Sequence, residues 1–415
     1  MTYGLLPGAE QKQVAVEGVR LALNVAGPAR PPHGAEGGPV PVLLLHGVPQ
    51  TAVAFRFLLP ELAKDRRVLA PDLKGLGESE VRGPYDLGTV VRELAALVLH
   101  EVDGPVDVVG HDWGGTIGLA LAGARPDLVR RLVVVSAPYR HVNLVRAAYI
   151  PFFALPVLPE LAWRLGGRAL VAEVLRRLWK AERPLDDVVR THYERVYTDP
   201  RRVAAMLGYY RDNVRPRLWS MARGAVRSVI PPAGGGRPGD AVRPRRVRAQ
   251  KHLVVWGTED PVLPMSVAES VVRDLGADTT LVAFPGVGHF PLEEVPEDAV
   301  AVVAEFLREA KEALAVEPVT EPAGDPITEP IGTPITESIT EPINELAGEP
   351  ASEPAGLEMP LLPQSKASGR DPDAQRASAQ RRVAEVKADT AKRAAARRAG
   401  KRPGPGPSGN TDPIV

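Results

Sequence analysis

The stretch that decides the fold is Val106-Asp-Val-Val-Gly-His-Asp-Trp-Gly-Gly-Thr116, in which an apolar run leads into glycines on both sides of Asp112. The apolar residues predict a buried strand that ends at Gly110, and the residues from Thr116 onward predict a helix. Small residues at 110 and 114 are what a very tight strand-to-helix turn demands, because its neighbours crowd the backbone. Such a turn projects Asp112 above the edge of a sheet, at the start of a helix whose dipole favours negative charge.

A carboxylate in this position limits the reaction class. It is a poor nucleophile toward esters and amides, since the mixed anhydride formed would be no better than the starting material. It is competent for displacement at saturated carbon, where it forms an alkyl ester that water can then cleave. We therefore interpret Asp112 as a covalent nucleophile. The alternative is an aspartate that only caps the following helix.

Two further side chains end predicted strands, and the chain order is nucleophile, acid, histidine. Asp260 closes the segment Val254-Val-Trp-Gly-Thr-Glu-Asp260, and His289 lies in the glycine-rich loop of Phe284-Pro-Gly-Val-Gly-His289. A histidine can activate the water that cleaves an ester, and a carboxylate can orient that histidine and stabilise its cation. We predict that His289 is the base and Asp260 its partner, with Glu259 as the alternative acid.

The segment His46-Gly47-Val48-Pro49 follows the first buried strand. In that position the backbone N–H groups of Val48 and Trp113 are predicted to form an oxyanion hole for ester hydrolysis. The alternative is an ordinary turn at the end of a strand. We also expect the side chains of His46, Trp113 and Phe152 to contact the substrate.

Strands and helices alternate around these motifs, which predicts an α/β fold with a mostly parallel sheet flanked by helices. A hairpin is expected over residues 14–25, strands over 42–45, 67–70, 106–109, 132–135, 253–256 and 280–284, and helices over 87–102, 116–124, 265–275 and 296–313. The alternation stops in residues 138–248, a helical and aromatic segment that we interpret as an inserted lid with a return loop. Residues 1–137 and 249–316 then form the two parts of one core.

The composition changes sharply beyond this core. Residues 317–360 repeat units such as Thr328-Glu-Pro-Ile331 and contain no Lys or Arg, whereas residues 366–402 are basic. Such a sequence cannot bury enough apolar surface to offset its ordering entropy, so residues 317–415 are predicted to be a disordered tail. It is either a solvated tail or an interaction tail whose basic end binds an acidic partner, nucleic acid or its own acidic tract. The sequence does not identify that partner.

Composition also excludes several classes of function. The formal net charge is +0, so the core has no general attraction to nucleic acid or to anionic membranes. The absence of cysteine excludes disulfides, thiolate metal sites and a cysteine nucleophile. The most apolar stretch, residues 147–163, is interrupted by prolines, so no membrane span is expected. Residues 1–13 lack a signal-peptide pattern, which predicts a cytoplasmic protein; a dimer is left open.

Taken together, the motifs resemble the epoxide hydrolase branch of the α/β-hydrolase family over roughly residues 14–312. The matching segments are His46-Gly-Val-Pro49, Asp72-Leu-Lys-Gly-Leu-Gly-Glu-Ser79, Gly110-His-Asp-Trp-Gly-Gly115, Trp256-Gly-Thr-Glu-Asp260 and Gly288-His289. The resemblance implies an α/β-hydrolase fold, a hydrophobic epoxide as substrate, a vicinal diol as product, and no metal or organic cofactor.

The resemblance also implies that two lid tyrosines donate hydrogen bonds to the epoxide oxygen. Tyr210, in Gly208-Tyr-Tyr-Arg-Asp-Asn213, resembles the second of them, and Tyr149, in Ala147-Ala-Tyr-Ile-Pro-Phe-Phe153, resembles the first. Tyr209 and Tyr139 are the substitutes if the motifs are shifted.

Haloalkane and haloacid dehalogenases share an aspartate at this turn and are the alternative. One dehalogenase group has Asn where this chain has Val48, and takes its acid where this chain has Ser136-Ala137. Fluoroacetate-type dehalogenases resemble this motif but have Arg directly after the nucleophile, where it holds the carboxylate of the substrate. This chain has Trp113 at that position. These departures from the dehalogenase patterns favour epoxide opening. A non-catalytic binding protein on the same scaffold is the second alternative.

Overall fold

The structure, a computed structural model, describes residues 4–28, 39–139, 149–229 and 251–308, with residues 217–229 described by their backbone alone. The predicted tail, residues 317–415, lies outside these ranges, as does the end of the helix predicted for 296–313.

The described residues form an eight-stranded sheet with the order β1-β2-β4-β3-β5-β6-β7-β8. Its strands are β1 (Glu10–Val16), β2 (Val19–Ala26), β3 (Val42–Leu45), β4 (Val68–Pro71), β5 (Val106–His111), β6 (Val129–Val135), β7 (Lys251–Gly257) and β8 (Thr279–Phe284). The β1–β2 and β2–β4 pairs are antiparallel, and every pair from β4 to β8 is parallel. The mostly parallel sheet predicted from the sequence is confirmed.

Helices flank the sheet. In the described residues they are α1 (Leu58–Leu62), α2 (Leu87–Glu101), α3 (Trp113–Ala124), α4 (Tyr149–Ala154), α5 (Leu158–Leu178), α6 (Asp187–Val196), α7 (Pro200–Val229), α8 (Met265–Leu275), α9 (Pro291–Glu294) and α10 (Pro296–Arg308). Side-chain caps define where several begin: Asp86 accepts the N–H of Thr89 at 3.0 Å at the start of α2, which satisfies one otherwise unpaired helix donor.

The central strands β3, β5 and β6 are buried along almost their whole length because helices cover both faces of the sheet. All four residues of β3 are buried, and Leu43, Leu44 and Val108 have no solvent-exposed surface. Burying a leucine side chain contributes about 2 kcal/mol to folding, so this layer is a rigid support for the loops at the carboxyl ends of the strands.

Helices α4 to α7, which we call the lid helices, lie between β6 and β7 in the chain, where the sequence predicts an inserted helical segment. Helix α5 is kinked at Gly167, whose φ of +50° is in the region that favours glycine. Helix α3 begins at Trp113 rather than at residue 116, so Gly114 and Gly115 belong to its first turn, where their backbone packs closely against neighbouring segments.

Candidate active site

Asp112 lies between the last residue of β5 and the first residue of α3, in a strained conformation with φ +50° and ψ −119°. A non-glycine residue in this region costs about 1–3 kcal/mol, which the surrounding structure must supply. Two hydrogen bonds hold the backbone there: the Asp112 N–H donates to the Val135 carbonyl at 3.0 Å, and the Asp112 carbonyl accepts from the Thr116 N–H at 3.0 Å.

Glycines around Asp112 allow neighbouring backbone segments to approach each other more closely than any side chain would permit. A Cβ on Gly114 would lie 2.0 Å from the Leu45 carbonyl oxygen, and one on Gly110 would lie 2.3 Å from the Gly114 carbonyl oxygen. A Cβ on Gly47 would lie 2.5 Å from the Cβ of Asp112. The glycines that suggested a tight turn are therefore required by packing between β3, β5 and α3.

The structure brings Asp112, His289 and Asp260 together from the ends of three different strands. The Nε2 of His289 is 3.6 Å from the Oδ2 of Asp112, and its Nδ1 donates to the Oδ2 of Asp260 at 2.7 Å. The other carboxylate oxygen of Asp260 accepts the N–H groups of Val262 and Leu263, both at 2.9 Å. One oxygen of this carboxylate therefore orients the imidazole, and the backbone holds the other.

Glu259, the alternative acid, is exposed, whereas Asp260 is buried. The backbone N–H of Glu259 donates to the Val287 carbonyl at 2.9 Å, which helps to hold the loop beside His289. The geometry therefore supports Asp260 in the orienting position.

The predicted oxyanion hole faces the other oxygen of Asp112. The Val48 N–H donates to Oδ1 of Asp112 at 3.0 Å. Trp113 is the first residue of α3, so its N–H has no acceptor within the helix and adds to the positive end of the helix dipole. Oδ1 thus accepts the Val48 N–H, whereas Oδ2 lies on the side of His289.

Electrostatics keep the Asp112 carboxylate ionised and His289 protonated. Burial would raise the pKa of Asp112, but the interaction with His289 and the Val48 N–H outweigh it and leave that pKa below its usual value. Burial would lower the pKa of His289, but the charge on Asp260 and the interaction with Asp112 raise it to about 10. In the resting protein, Asp112 and His289 therefore form an ion pair.

The two predicted tyrosines lie together near the nucleophile. Their ring centroids are 6.2 Å apart, and the ring of Tyr210 packs edge-on against that of Trp113 at 5.1 Å. Burial raises the pKa of both hydroxyls well above the usual value, and the charge on Asp112 raises each of them further. Tyr149 and Tyr210 are therefore protonated hydrogen-bond donors close to the carboxylate.

The substitute tyrosines have other positions. The hydroxyl of Tyr209 donates to the Lys74 carbonyl at 2.9 Å, which ties α7 to the loop after β4. Tyr139 is partly buried against the core at the end of a described range. The hydroxyl of Tyr209 is therefore engaged with the loop after β4.

The structure also gives the positions of two predicted substrate contacts. His46 is fully buried, and its ring nitrogens bond to the Gly47 carbonyl and the Leu73 N–H, both at 2.8 Å, so it holds the loop after β3. Phe152 is 37% exposed. Its neighbour Phe153, which sequence reasoning missed, packs against Tyr210 at 5.0 Å. Adjacent aromatic residues on a helix point to different sides of it, and the sequence does not specify which side faces Tyr210.

The motif Asp72 to Ser79 also has a structural role. Asp72 is fully buried, and its carboxylate accepts the N–H groups of Ala52 at 2.9 Å and Glu78 at 2.8 Å. A Cβ on Gly77 would lie 2.1 Å from the Asp72 carboxylate, so the glycine is required by this contact. The motif therefore fixes the loop after β4 that lies beneath the site.

Within the described ranges, no three His, Asp or Glu side chains are grouped so that they could hold a metal ion. Nor does any helix in the described part of the chain have the length and apolar character needed to cross a membrane.

Comparison with known proteins places this geometry in a family. The chain is 25% identical over 321 residues to the AB hydrolase superfamily protein YfhM of Bacillus subtilis, which covers 73% of this chain and 99% of the relative. It is 23% identical over 288 residues to epoxide hydrolase 3 of Xenopus tropicalis, covering 65% of this chain and 71% of that protein. The solved structure of the epoxide hydrolase CorEH has a TM-score of 0.55 at 22% identity and covers 72% of this chain and 98% of that one, a likeness that shows the fold.

The profile of the alpha/beta hydrolase fold matches residues 40–296, which include the strained aspartate, the buried histidine and the acid between them. The chain belongs to the alpha/beta hydrolase family.

Proposed function

We propose that this protein opens hydrophobic epoxides to vicinal diols through a covalent ester on Asp112. The observation that carries the proposal is that the rings of Tyr149, partly buried, and Tyr210, buried, lie 6.2 Å apart beside Trp113. Both hydroxyls are protonated and lie within the field of the ionised Asp112 carboxylate. A nucleophile that attacks saturated carbon needs a partner that stabilises the leaving oxygen. Tyr149 and Tyr210 are suited to that task, because an alkoxide gains a charge-assisted hydrogen bond or a proton from each.

In the first step, Oδ2 of Asp112 attacks one epoxide carbon and the bond from that carbon to the epoxide oxygen breaks. The oxygen leaves as an alkoxide, hydrogen-bonded by Tyr149 and Tyr210, and takes up a proton from one of them. The product is a hydroxyalkyl ester in which Oδ1, held by the Val48 N–H at 3.0 Å, becomes the carbonyl oxygen. Aromatic rings around the tyrosines, including Phe153, supply an apolar wall for the substrate.

Formation of the ester prepares the second step. The raised pKa of His289 depends partly on the negative charge of Asp112, and that charge disappears when the carboxylate becomes an ester. His289 can then lose its proton to the deprotonated tyrosine or to solvent, and it becomes a neutral base. Water attacks the carbonyl carbon of the Asp112 ester, and His289 takes a proton from that water. The Val48 and Trp113 N–H groups stabilise the tetrahedral oxyanion that forms. Collapse of that intermediate releases the diol and regenerates Asp112.

The environment of Trp113 bears on the dehalogenase alternative. The indole ring of Trp113 packs edge-on against the ring of Tyr210 at 5.1 Å. This contact helps to orient Tyr210, which favours epoxide opening.

Parallel assays of the full chain test the proposal. We expect styrene oxide to give the diol with no halide released from a bromoalkane, and we expect Asp112→Asn to abolish diol formation while the protein stays folded. Halide release without diol formation would identify a dehalogenase. Silence of a folded protein on a broad epoxide panel and on the bromoalkane would favour the binding-protein alternative and overturn the proposal.

A further inference from the structure

Two adjacent glutamates, Glu293 and Glu294, follow His289 on the short helix α9. They are 2% and 1% exposed, although a buried carboxylate is costly unless hydrogen bonds compensate it. The sequence Pro291-Leu-Glu-Glu-Val-Pro296 gives no reason to distinguish them. Their hydrogen-bond partners distinguish the two glutamates.

Glu294 bonds to the loop that carries His289 and to the end of the lid helix α5. Its Oε2 accepts the N–H of Gly288 at 2.9 Å, and its Oε1 accepts the N–H of Phe290 at 2.9 Å. The same Oε2 accepts the N–H groups of Lys180 and Ala181, both at 2.8 Å. One carboxylate thus joins both neighbours of His289 to the residues that follow α5.

The backbone of His289 completes the connection. Its own N–H donates to the carbonyl of Leu178, the last residue of α5, at 2.9 Å. A Cβ on Gly288 would lie 2.2 Å from the Leu178 carbonyl oxygen and 2.9 Å from Oε1 of Glu294. The approach of the histidine loop to the lid therefore requires a glycine at this position, and the amides of three consecutive residues around the base are all engaged.

Glu293 has a different set of partners. It contacts the guanidinium of Arg56 and the amide of Gln50, and it accepts a hydrogen bond from the Tyr193 hydroxyl at 3.2 Å. These contacts join the lid helix α6 to the segment after β3. Glu293 is therefore a control for Glu294: equally buried and adjacent in sequence, but bonded to other parts of the protein.

We propose that Glu294 is a positioning residue that fixes His289 to the carboxyl end of α5, so that the base and this part of the lid move as one body. The role rests on the proposed function, because His289 acts only when water cleaves the ester. A displacement of about 1 Å in a reacting group can cost about 100-fold in rate. Loss of Glu294 should therefore slow ester hydrolysis and spare the attack by Asp112.

Single-turnover experiments on Glu294→Gln and Glu293→Gln test the proposal. Glutamine has one acceptor oxygen, and its NH₂ group would face N–H donors, so Glu294→Gln must lose part of the four-bond arrangement. With styrene oxide we expect Glu294→Gln to form the Asp112 ester within about threefold of the wild-type rate and to hydrolyse it about 100-fold more slowly. Glu293→Gln should hydrolyse the ester within about threefold of wild type.

Gly288→Ala provides a second route to the same displacement if Glu294→Gln does not fold. The added Cβ pushes the loop away from Leu178 and presses on Oε1 of Glu294, so it strains the same junction without removing the carboxylate. We expect the ester to accumulate in this variant also. The pH dependence of ester hydrolysis should shift in either variant relative to wild type, which a general loss of stability would not produce.

The outcomes separate the two proposals. If wild-type protein forms and cleaves an ester, and Glu294→Gln cleaves it as fast, the positioning role is wrong and the proposed function stands. The same conclusion follows if Glu293→Gln slows hydrolysis as much as Glu294→Gln. If wild-type protein opens epoxides without any ester, the proposed function itself is wrong.

Discussion

Tyr210→Phe is the substitution that separates epoxide opening from the other reactions an aspartate nucleophile can perform. Phenylalanine keeps the ring contacts with Trp113 at 5.1 Å and Phe153 at 5.0 Å and removes only the hydroxyl. The hydroxyl is protonated, because burial and the charge on Asp112 raise its pKa, so it is a hydrogen-bond donor at any working pH.

Removing one donor from a developing oxyanion costs about 100- to 1,000-fold in rate, or about 3–4 kcal/mol. We expect a loss near the lower value, since Tyr149 still donates. The effect should fall on ester formation, where the C–O bond breaks, and not on ester hydrolysis. The free energy of unfolding should fall by only about 1 kcal/mol, the usual net contribution of one hydrogen bond.

Tyr209→Phe is the matched control. Tyr209 is adjacent, 1% exposed, and donates its hydroxyl hydrogen to the Lys74 carbonyl. Its loss should cost similar stability and leave ester formation unchanged. Rapid quenching followed by intact-mass measurement of the ester gives both rates. The reasoning is refuted if Tyr210→Phe forms the ester at the wild-type rate, or if Tyr209→Phe is slowed equally.

Three further predictions concern the base, the pH dependence and the turn. His289→Ala should still form the ester and should accumulate it as an adduct of the full substrate mass on Asp112; an adduct-free active variant would contradict the two-step scheme. Ester hydrolysis should accelerate with rising pH and the ester should accumulate as the pH falls, because His289 must be neutral to act as the base and the charge on Asp260 still raises its pKa; rapid-quench measurements that show faster hydrolysis at low pH would count against it. Gly114→Ala should unfold the turn, since its Cβ would lie 2.0 Å from the Leu45 carbonyl oxygen, whereas Gly118→Ala, with its nearest neighbour a side-chain carbon at 3.1 Å, should change the unfolding free energy by about 1 kcal/mol or less. Equal thermal stability of the two variants would show that the packing around the turn is misjudged.

The turn around Asp112 was predictable because the sequence around it carries the pattern of a tight strand-to-helix connection. A tight strand-to-helix connection needs small residues at fixed positions, and Gly110 and Gly114 stand there in the sequence. Asp260 and His289 were predictable for a similar reason, because each follows an apolar strand and parallel strands present their carboxyl ends at one edge.

Other parts of the site depend on packing between segments that are distant in sequence. Phe153 and Phe152 differ only in which side of α4 they occupy, and that rotation is set by Tyr210 and Trp163 on other helices. Glu294 resembles a surface residue in the sequence, and its burial arises from backbone N–H groups at Lys180 and Ala181. Backbone donors leave no mark on the sequence, so such a role becomes visible only when the chain is folded.

The central claim, that Asp112 attacks the substrate and carries it as an ester, is tested most directly by one turnover of styrene oxide in heavy-oxygen water with enzyme in excess. The attacking oxygen comes from the carboxylate, so the first diol released should carry ordinary oxygen in both hydroxyls, and heavy oxygen should appear in Asp112. Heavy oxygen in the diol of the first turnover, with none in Asp112, would show that water opens the ring directly and would contradict the account.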